Sequence, residues 1–164
     1  MARCLIIGCG CRGRLLAGEL IAEGHAVRGT TRGPGRCGAI DAVGAQAVVA
    51  DPDRVATLMP ALEHVTVVCI LLGSADAPDQ QLDALHGTRL AMLLTRLVDT
   101  TVQGVVYETR GTVDPTILGD GAARVKAFAQ RARARWAALD ADPADHQRWL
   151  AVAIQRVTEV LATR

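Results

Sequence analysis

The sequence predicts a three-layer α/β/α domain on a parallel sheet of five or six strands, ordered 3-2-1-4-5 with the sixth beside the fifth. Three observations predict it. Short apolar or β-branched runs alternate with longer stretches at helical spacing, the pattern of βαβ units. The run from Val65 to Leu72 is apolar on both faces, as suits a central parallel strand covered on both sides. A glycine-rich turn at Gly8–Gly13 falls between the first strand-like run and the first helical one.

Taken in order, Arg3 to Ile7 is a strand broken by Gly8, and Arg14 to Glu23 a helix with Leu16, Leu20 and Ile21 on one face and Gly24 as its stop. Ala26 to Thr30 is a second strand, Arg32–Arg36 a loop, and Ala39 to Val43 a short helical turn. Gln46 to Ala50 is a third strand ending at Asp51-Pro52. Arg54 to Leu62 is a helix shortened or kinked by Pro60. After the central strand, Leu82 to Val98 is a long helix and Gly104 to Tyr107 a fifth strand. Ala122 to Ala132 and His146 to Ala162 are helices. Between them Arg135 to Asp140 either extends the first helix or forms a sixth strand. The alternation favours the strand, as does Asp142-Pro143 as N-cap and first-turn proline of the last helix. No linker, repeat or low-complexity stretch divides the chain, so a single domain over 1–164 is expected.

Composition narrows the function. At 164 residues the chain has one domain's length, enough to bury roughly 68–70% of its unfolded surface. Eighteen basic against 17 acidic side chains give a net charge of +1, without the basic excess of a general nucleic-acid binder. The aromatic set is Phe128, Tyr107, Trp136 and Trp149, too sparse for base-stacking platforms. No apolar run approaches the length of a membrane span, and Cys4–Ile7 is too short for a signal-peptide core. A cytoplasmic protein with no membrane partner is the expectation. Five cysteines, an odd number without an export signal, read as reduced thiols.

The chemistry centres on Gly8-Cys9-Gly10-Cys11-Arg12-Gly13, a GxGxxG. After a strand and before a helix, Gly8 permits the tight turn, Gly10 lets a pyrophosphate approach the backbone, and Gly13 lets helix and strand pack closely. The amides between residues 8 and 13 form a phosphate cradle at a positive helix end. This is the signature of a Rossmann-like dinucleotide domain. A domain that prefers NAD usually has an acid at the end of the second strand to hold the ribose 2′-hydroxyl. Here the residues are Gly29-Thr30-Thr31-Arg32, with Arg32 nineteen positions after Gly13 and Arg36 nearby. A guanidinium facing a 2′-phosphate makes charge-assisted, bidentate bonds. NADP(H) is therefore the expected cofactor.

The run Cys4–Arg14 followed by Glu23–Arg32 resembles atypical extended short-chain dehydrogenase/reductases, relatives of nucleotide-sugar epimerases and NmrA-like sensors. The likeness covers residues 3–32 and extends toward residue 110. It implies that Asp51 approaches the adenine and that Leu71 to Ala75, with Leu72, Gly73 and Ser74 at its centre, line the adenosine and nicotinamide ribose. Asp51-Pro52 departs from the acid-plus-aliphatic pair usual there.

The family's catalytic Tyr-x-x-x-Lys pair is missing. Tyr107, the only tyrosine, is followed by Gly111 where lysine belongs, and Lys126 is the only lysine. Tyr107 lies in an apolar strand, where it packs. The family's C-terminal substrate segment is also not seen. Two functions follow as expectations: a non-catalytic dinucleotide binder or redox sensor, and alternatively an NADPH-dependent oxidoreductase whose pocket a second subunit completes. In the latter, Glu108, Thr109 and Arg110 are the polar groups nearest the nicotinamide. The apolar stripe from Trp149 and Leu150, with Trp136 before it, is of the kind that covers the sheet in a small domain, whereas apolar surface left near the missing substrate segment would be concealed by a homodimer.

Other signals are weaker. Cys9-x-Cys11 is too tight for a zinc half-site, so no metal is expected. A thiol at a helix start can have a lowered pKa, which makes Cys9 or Cys11 a candidate for oxidation, whereas Cys4 and Cys69 are expected to be buried and inert. His25, His64, His86 and His146 show no ligand spacing, and none is assigned a catalytic role.

Overall fold

The apolar positions alternate so regularly in the central strands that each of these feeds two cores. Strand β1 (Arg3–Ile7) sends Cys4 and Ile6 to one side and Leu5 and Ile7 to the other. Strand β4 (Val67–Ile70) divides Val67 and Cys69 from Val68 and Ile70 in the same way. A strand with this period-two burial needs helices on both faces. The computed structural model, which describes residues 1–162, supplies them. The expected span of 1–164 extends two positions beyond the described residues.

On one face lie α1 (Cys11–Ala22), α2 (Cys37–Ala42) and α6 (His146–Leu161). On the other lie the 3-10 segment Val55–Leu62, α4 (Leu90–Leu97) and α5 (Pro115–Ala132). Between them β2 (Ala26–Thr31), β3 (Gln46–Val49), β5 (Gly104–Glu108) and β6 (Arg135–Leu139) join β1 and β4 in one sheet. All pairs are parallel and the order is β3-β2-β1-β4-β5-β6. The sixth strand is present, with Gly104 opposite Arg135 and Glu108 opposite Leu139. Because β1 pairs with both β2 and β4, successive connections leave it in opposite directions. Its carboxyl end is the topological switch point where open α/β sheets bind ligands.

Several boundaries differ from the sequence reading. Helix α1 starts at Cys11 rather than Arg14, so Gly13 lies within its first turn. The segment with Pro60 is 3-10 rather than α, since proline inside it has no N–H for the α ladder. The long helix predicted from Leu82 starts earlier, as α3 (Asp79–Ala84), and runs through a π segment (Leu85–Arg89) into α4. Helix α5 begins at Pro115 instead of Ala122, capped by Asp114, whose Oδ1 accepts the Thr116 N–H at 2.7 Å. Helix α6 is capped by Asp145, which accepts from Arg148 N at 3.1 Å, while Asp142-Pro143 belongs to the preceding turn. Trp149, Ala153, Val157 and Val160 of α6 are buried in the core. The stripe that begins at Trp149 thus covers the sheet. Among the described residues no helix is long and apolar enough to cross a membrane.

Candidate functional site

The turn between β1 and α1 is shaped by glycines in two ways. Gly8 has φ of +82°, and a Cβ there would lie 2.6 Å from the Leu71 carbonyl oxygen. Only glycine brings the backbone so close to the end of β4. A Cβ on Gly13 would lie 3.2 Å from Gly8 O and 3.3 Å from Ile6, so this residue sets how closely α1 packs on β1. Gly10 differs from both: an added Cβ would meet nothing within 4 Å. Its backbone faces open space.

The cradle predicted over residues 8–13 is narrower than that. Gly8 N donates to Thr30 Oγ1 at 3.2 Å, Cys9 N to Thr30 O at 3.1 Å, and Gly10 N to Gly8 O at 2.9 Å. The first helical bond runs from Arg14 N to Gly10 O at 2.9 Å, and Gly10 offers no side-chain cap. The amides of Cys11, Arg12 and Gly13 therefore form the donor set at the positive end of α1.

A cleft of about 430 Å³ opens over this turn. Gly8, Cys9, Gly10 and Arg12 line it from the turn, and Thr31, Arg32 and Arg36 from the exit of β2. Asp51 borders it beyond β3, and Leu72 and Ser74 beyond β4. Three candidates do not line it. Cys11 is exposed, Gly13 is packed against β1, and Gly73 N donates to Glu108 Oε1 at 2.8 Å. Arg32 and Arg36 are exposed, with no carboxylate within 4.0 Å among the described residues. Thr31 turns its hydroxyl back to Gly33 O at 3.3 Å, and Asp51 Oδ1 accepts Asp53 N at 2.9 Å within its own turn. Sequence reasoning missed Asp53 as a wall residue. Its carboxylate takes Arg89 Nε and Gln81 Nε2, each at 3.3 Å, tying α3 and the π segment to the loop after β3.

Two buried polar clusters flank the cleft. Glu108, expected near a nicotinamide, is 1% exposed, and both its oxygens are engaged. Oε1 accepts the Gly73 amide and Oε2 the Trp149 indole N–H at 2.9 Å. Burial raises the pKa of this carboxyl, while the Trp149 and Gly73 hydrogen bonds and the Arg12 charge pull it down. The Arg12 guanidinium lies 5.7 Å from the Trp149 ring centroid, and its Nε is buried with no hydrogen-bond partner among the described residues. In the second cluster His86, which no motif marked, sits at the start of the π segment. Its Nε2 lies 3.1 Å from Leu72 O and its Nδ1 2.6 Å from the Tyr107 hydroxyl. A carbonyl only accepts, so Nε2 carries the proton and Nδ1 accepts from Tyr107. Burial lowers the His86 pKa and raises that of Tyr107. Tyr107 is packed, as its strand position predicted.

The thiols separate clearly. Cys9 is buried over Gly29, and burial pushes its pKa up to about 11, against the lowered value that oxidation would require. Cys11 is the exposed one of the pair. Among the described residues no group of three His, Cys, Asp or Glu side chains is placed to hold a metal ion.

Six parallel strands with a glycine turn at the switch point make this a Rossmann-like domain. More particularly, it is structurally similar to nucleotide-sugar epimerases and short-chain dehydrogenase/reductases. One similar structure is UDP-glucose 4-epimerase of Thermotoga maritima, with a TM-score of 0.69, 12% identity, and coverage of 83% of this chain and 54% of that one. Another is UDP-glucuronic acid 4-epimerase of Bacillus cereus, crystallised with NAD, at 0.65, 14%, 83% and 55%. A short-chain dehydrogenase/reductase superfamily protein of Agrobacterium tumefaciens with bound NAD gives 0.65, 21%, 83% and 48%. The chain spans about half the length of these structures. No family model matches the sequence, and no curated protein matches it significantly.

Proposed function

We propose that this chain binds a pyridine dinucleotide, NADP(H) in preference to NAD(H), and acts as a dinucleotide binder or redox sensor. One observation carries the reading: the cleft at the switch point joins an open Gly10 and Arg12, at the start of α1, to two exposed arginines at the exit of β2. The similar structures with bound NAD support the cofactor class. The arginines, with no acid in the Gly29–Arg32 segment, support the 2′-phosphate form. A pyridine cofactor supplies hydride chemistry when bound. This chain's residues hold its phosphates at Cys11–Gly13 and its 2′-phosphate at Arg32 and Arg36.

The non-catalytic reading rests on the missing Tyr-x-x-x-Lys pair and on Tyr107, whose hydroxyl is held by His86 inside the core. Calorimetric titration with NADPH, NADP, NADH and NAD tests the binding. Replacing Arg32 with Ala is expected to weaken NADPH by about ten- to a hundredfold while leaving NADH unchanged, the loss of one bond to a charged group. An unchanged ratio removes the preference for NADP. NADPH turnover with aldehydes, ketones or imines would replace the sensor by an oxidoreductase.

A further inference from the structure

The loops at the carboxyl edge behave differently on the two sides of β4. None of the residues lining the cleft comes from β5, β6, α5 or α6; they extend from Gly8 to Leu85. Beyond β4 the loops are bonded to one another. Val113 N donates to Gly73 O at 3.0 Å, and Thr112 N to Ser74 Oγ at 3.4 Å. Gly111 lies against the Gly73 backbone so closely that a Cβ on it would overlap the Gly73 carbonyl. A Cβ on Gly73 would in turn lie 2.8 Å from Arg110 O and 2.9 Å from Glu108. Farther along, Thr109 N reaches Leu139 O at 3.0 Å, and Arg110 pairs with Asp142 at 3.9 Å. Trp149 and Glu108 fill the space beneath, with the Arg12 guanidinium over the indole.

A dinucleotide lies across the carboxyl edge with its two nucleotides on opposite sides of the switch point. The adenosine side of this chain is open: Gly10, Arg12, the two arginines and the Asp51–Asp53 loop face the cleft, which ends on the loop after β4 at Ser74 to Ala77 and on Gln81 and Leu85. On the other side the β4 and β5 loops meet backbone to backbone. The cleft volume also stands at the lower end of the about 300–1,000 Å³ common for small-molecule sites.

From this contrast we propose that the site is selective for the adenosine 2′-phosphate diphosphate portion of its ligand and makes no contact with the nicotinamide. This rests on the nucleotide-binding reading above and refines it. Any nucleotide with a 2′-phosphorylated adenosine and a 5′-diphosphate fits the same residues, so the oxidation state of a nicotinamide is not read in the binding step. Of the two roles proposed above this selects the dinucleotide binder over the redox sensor, since binding would follow the amount of the NADP pool and not its redox ratio.

Titration of the full chain with NADPH, NADP and 2′-phospho-ADP-ribose tests the proposal. Dissociation constants within about threefold of one another, a difference under about 0.7 kcal/mol, are expected. Bound NADPH should keep the emission maximum of the free cofactor and be displaced by 2′-phospho-ADP-ribose. If NADPH binds more than about tenfold tighter than 2′-phospho-ADP-ribose, or its emission shifts to the blue on binding, the nicotinamide is engaged and the proposal fails. If NAD and ADP-ribose bind equally while the phosphorylated forms do not, the 2′-phosphate fails and with it the stated ligand class. If none of these nucleotides binds, the nucleotide-binding reading itself fails.

Discussion

On the β2–β1 side of the switch point the loops beyond the strand ends leave a cleft, whereas from β4 to β6 they are hydrogen-bonded loop to loop. Glycine serves both arrangements. At Gly10 the missing side chain leaves backbone facing open space, while at Gly73 and Gly111 it allows two loops to touch. The same residue type thus opens one half of the edge and closes the other. Distance to the nearest neighbour, rather than glycine content, separates a binding turn from a packing contact.

The largest expected effect lies on the closed side. Glu108→Ala strands the Gly73 amide and the Trp149 indole N–H in the core. With two buried donors at about 1–3 kcal/mol each, the expected loss is about 3–5 kcal/mol in urea unfolding. A loss below about 1 kcal/mol would mean that the loops are held together without this carboxylate.

A smaller effect is expected one layer away. A Cβ on Gly121 would overlap the Tyr107 hydroxyl, so Gly121→Ala should cost about 1–3 kcal/mol by overpacking. Adding Tyr107→Phe removes the overlapping oxygen and should make the Gly121→Ala penalty smaller, a non-additivity that a double-mutant cycle measures. Additive losses would show that the hydroxyl is not the obstacle.

The His86 pair gives a pH dependence with a definite sign. Its folded pKa lies below the ordinary 6.5, because burial favours the neutral ring. The unfolded chain therefore binds more protons below pH 6.5, and stability is fully present above that value and falls as pH drops through it. Glu108, raised from 4.5, works in the opposite direction: its contribution is present below pH 4.5 and lost as pH rises through its folded value. His86→Gln keeps a donor for Leu72 O while removing the titration. Its urea midpoint should fall less than the wild-type midpoint between pH 7 and 5; parallel curves would rule His86 out as the source.

The smallest effect on stability belongs to the open side. Gly10→Ala places a methyl in open space and should change unfolding by less than about 1 kcal/mol. NADPH binding should nonetheless weaken by about tenfold or more, since that space is where the pyrophosphate approaches. Unchanged affinity would place the phosphates elsewhere.

Much of this was legible in the sequence because it is local. The alternation of runs carried the strand order, including Arg135–Leu139. The glycine turn had meaning only between its strand and its helix, and the structure sets it at the switch point. The start of α5 was missed although Asp114-Pro115 is a capping signal of the same kind as Asp142-Pro143. Gly119 and Gly121 weaken the helix pattern just behind it, and Gly121 is there because of Tyr107. The buried clusters were out of reach for a different reason. His86 and Tyr107 are 21 positions apart, and Glu108 and Trp149 are 41. Such pairs meet only once the sheet has assembled, and no spacing rule connects them.

The π segment at Leu85–Arg89 carries one residue more per turn than the helices on either side of it. Deleting one position there would let the ladder run as a regular α-helix. Because the π turn takes up that one extra residue, the helix after it would keep its phase, and Leu90, Leu93, Leu94 and Leu97 would stay on the buried face. What would change is the turn itself, which sets His86 against both Leu72 O and the Tyr107 hydroxyl. The extra residue therefore serves the histidine rather than the helix, and its loss should disturb the His86 cluster while sparing the packing of α4.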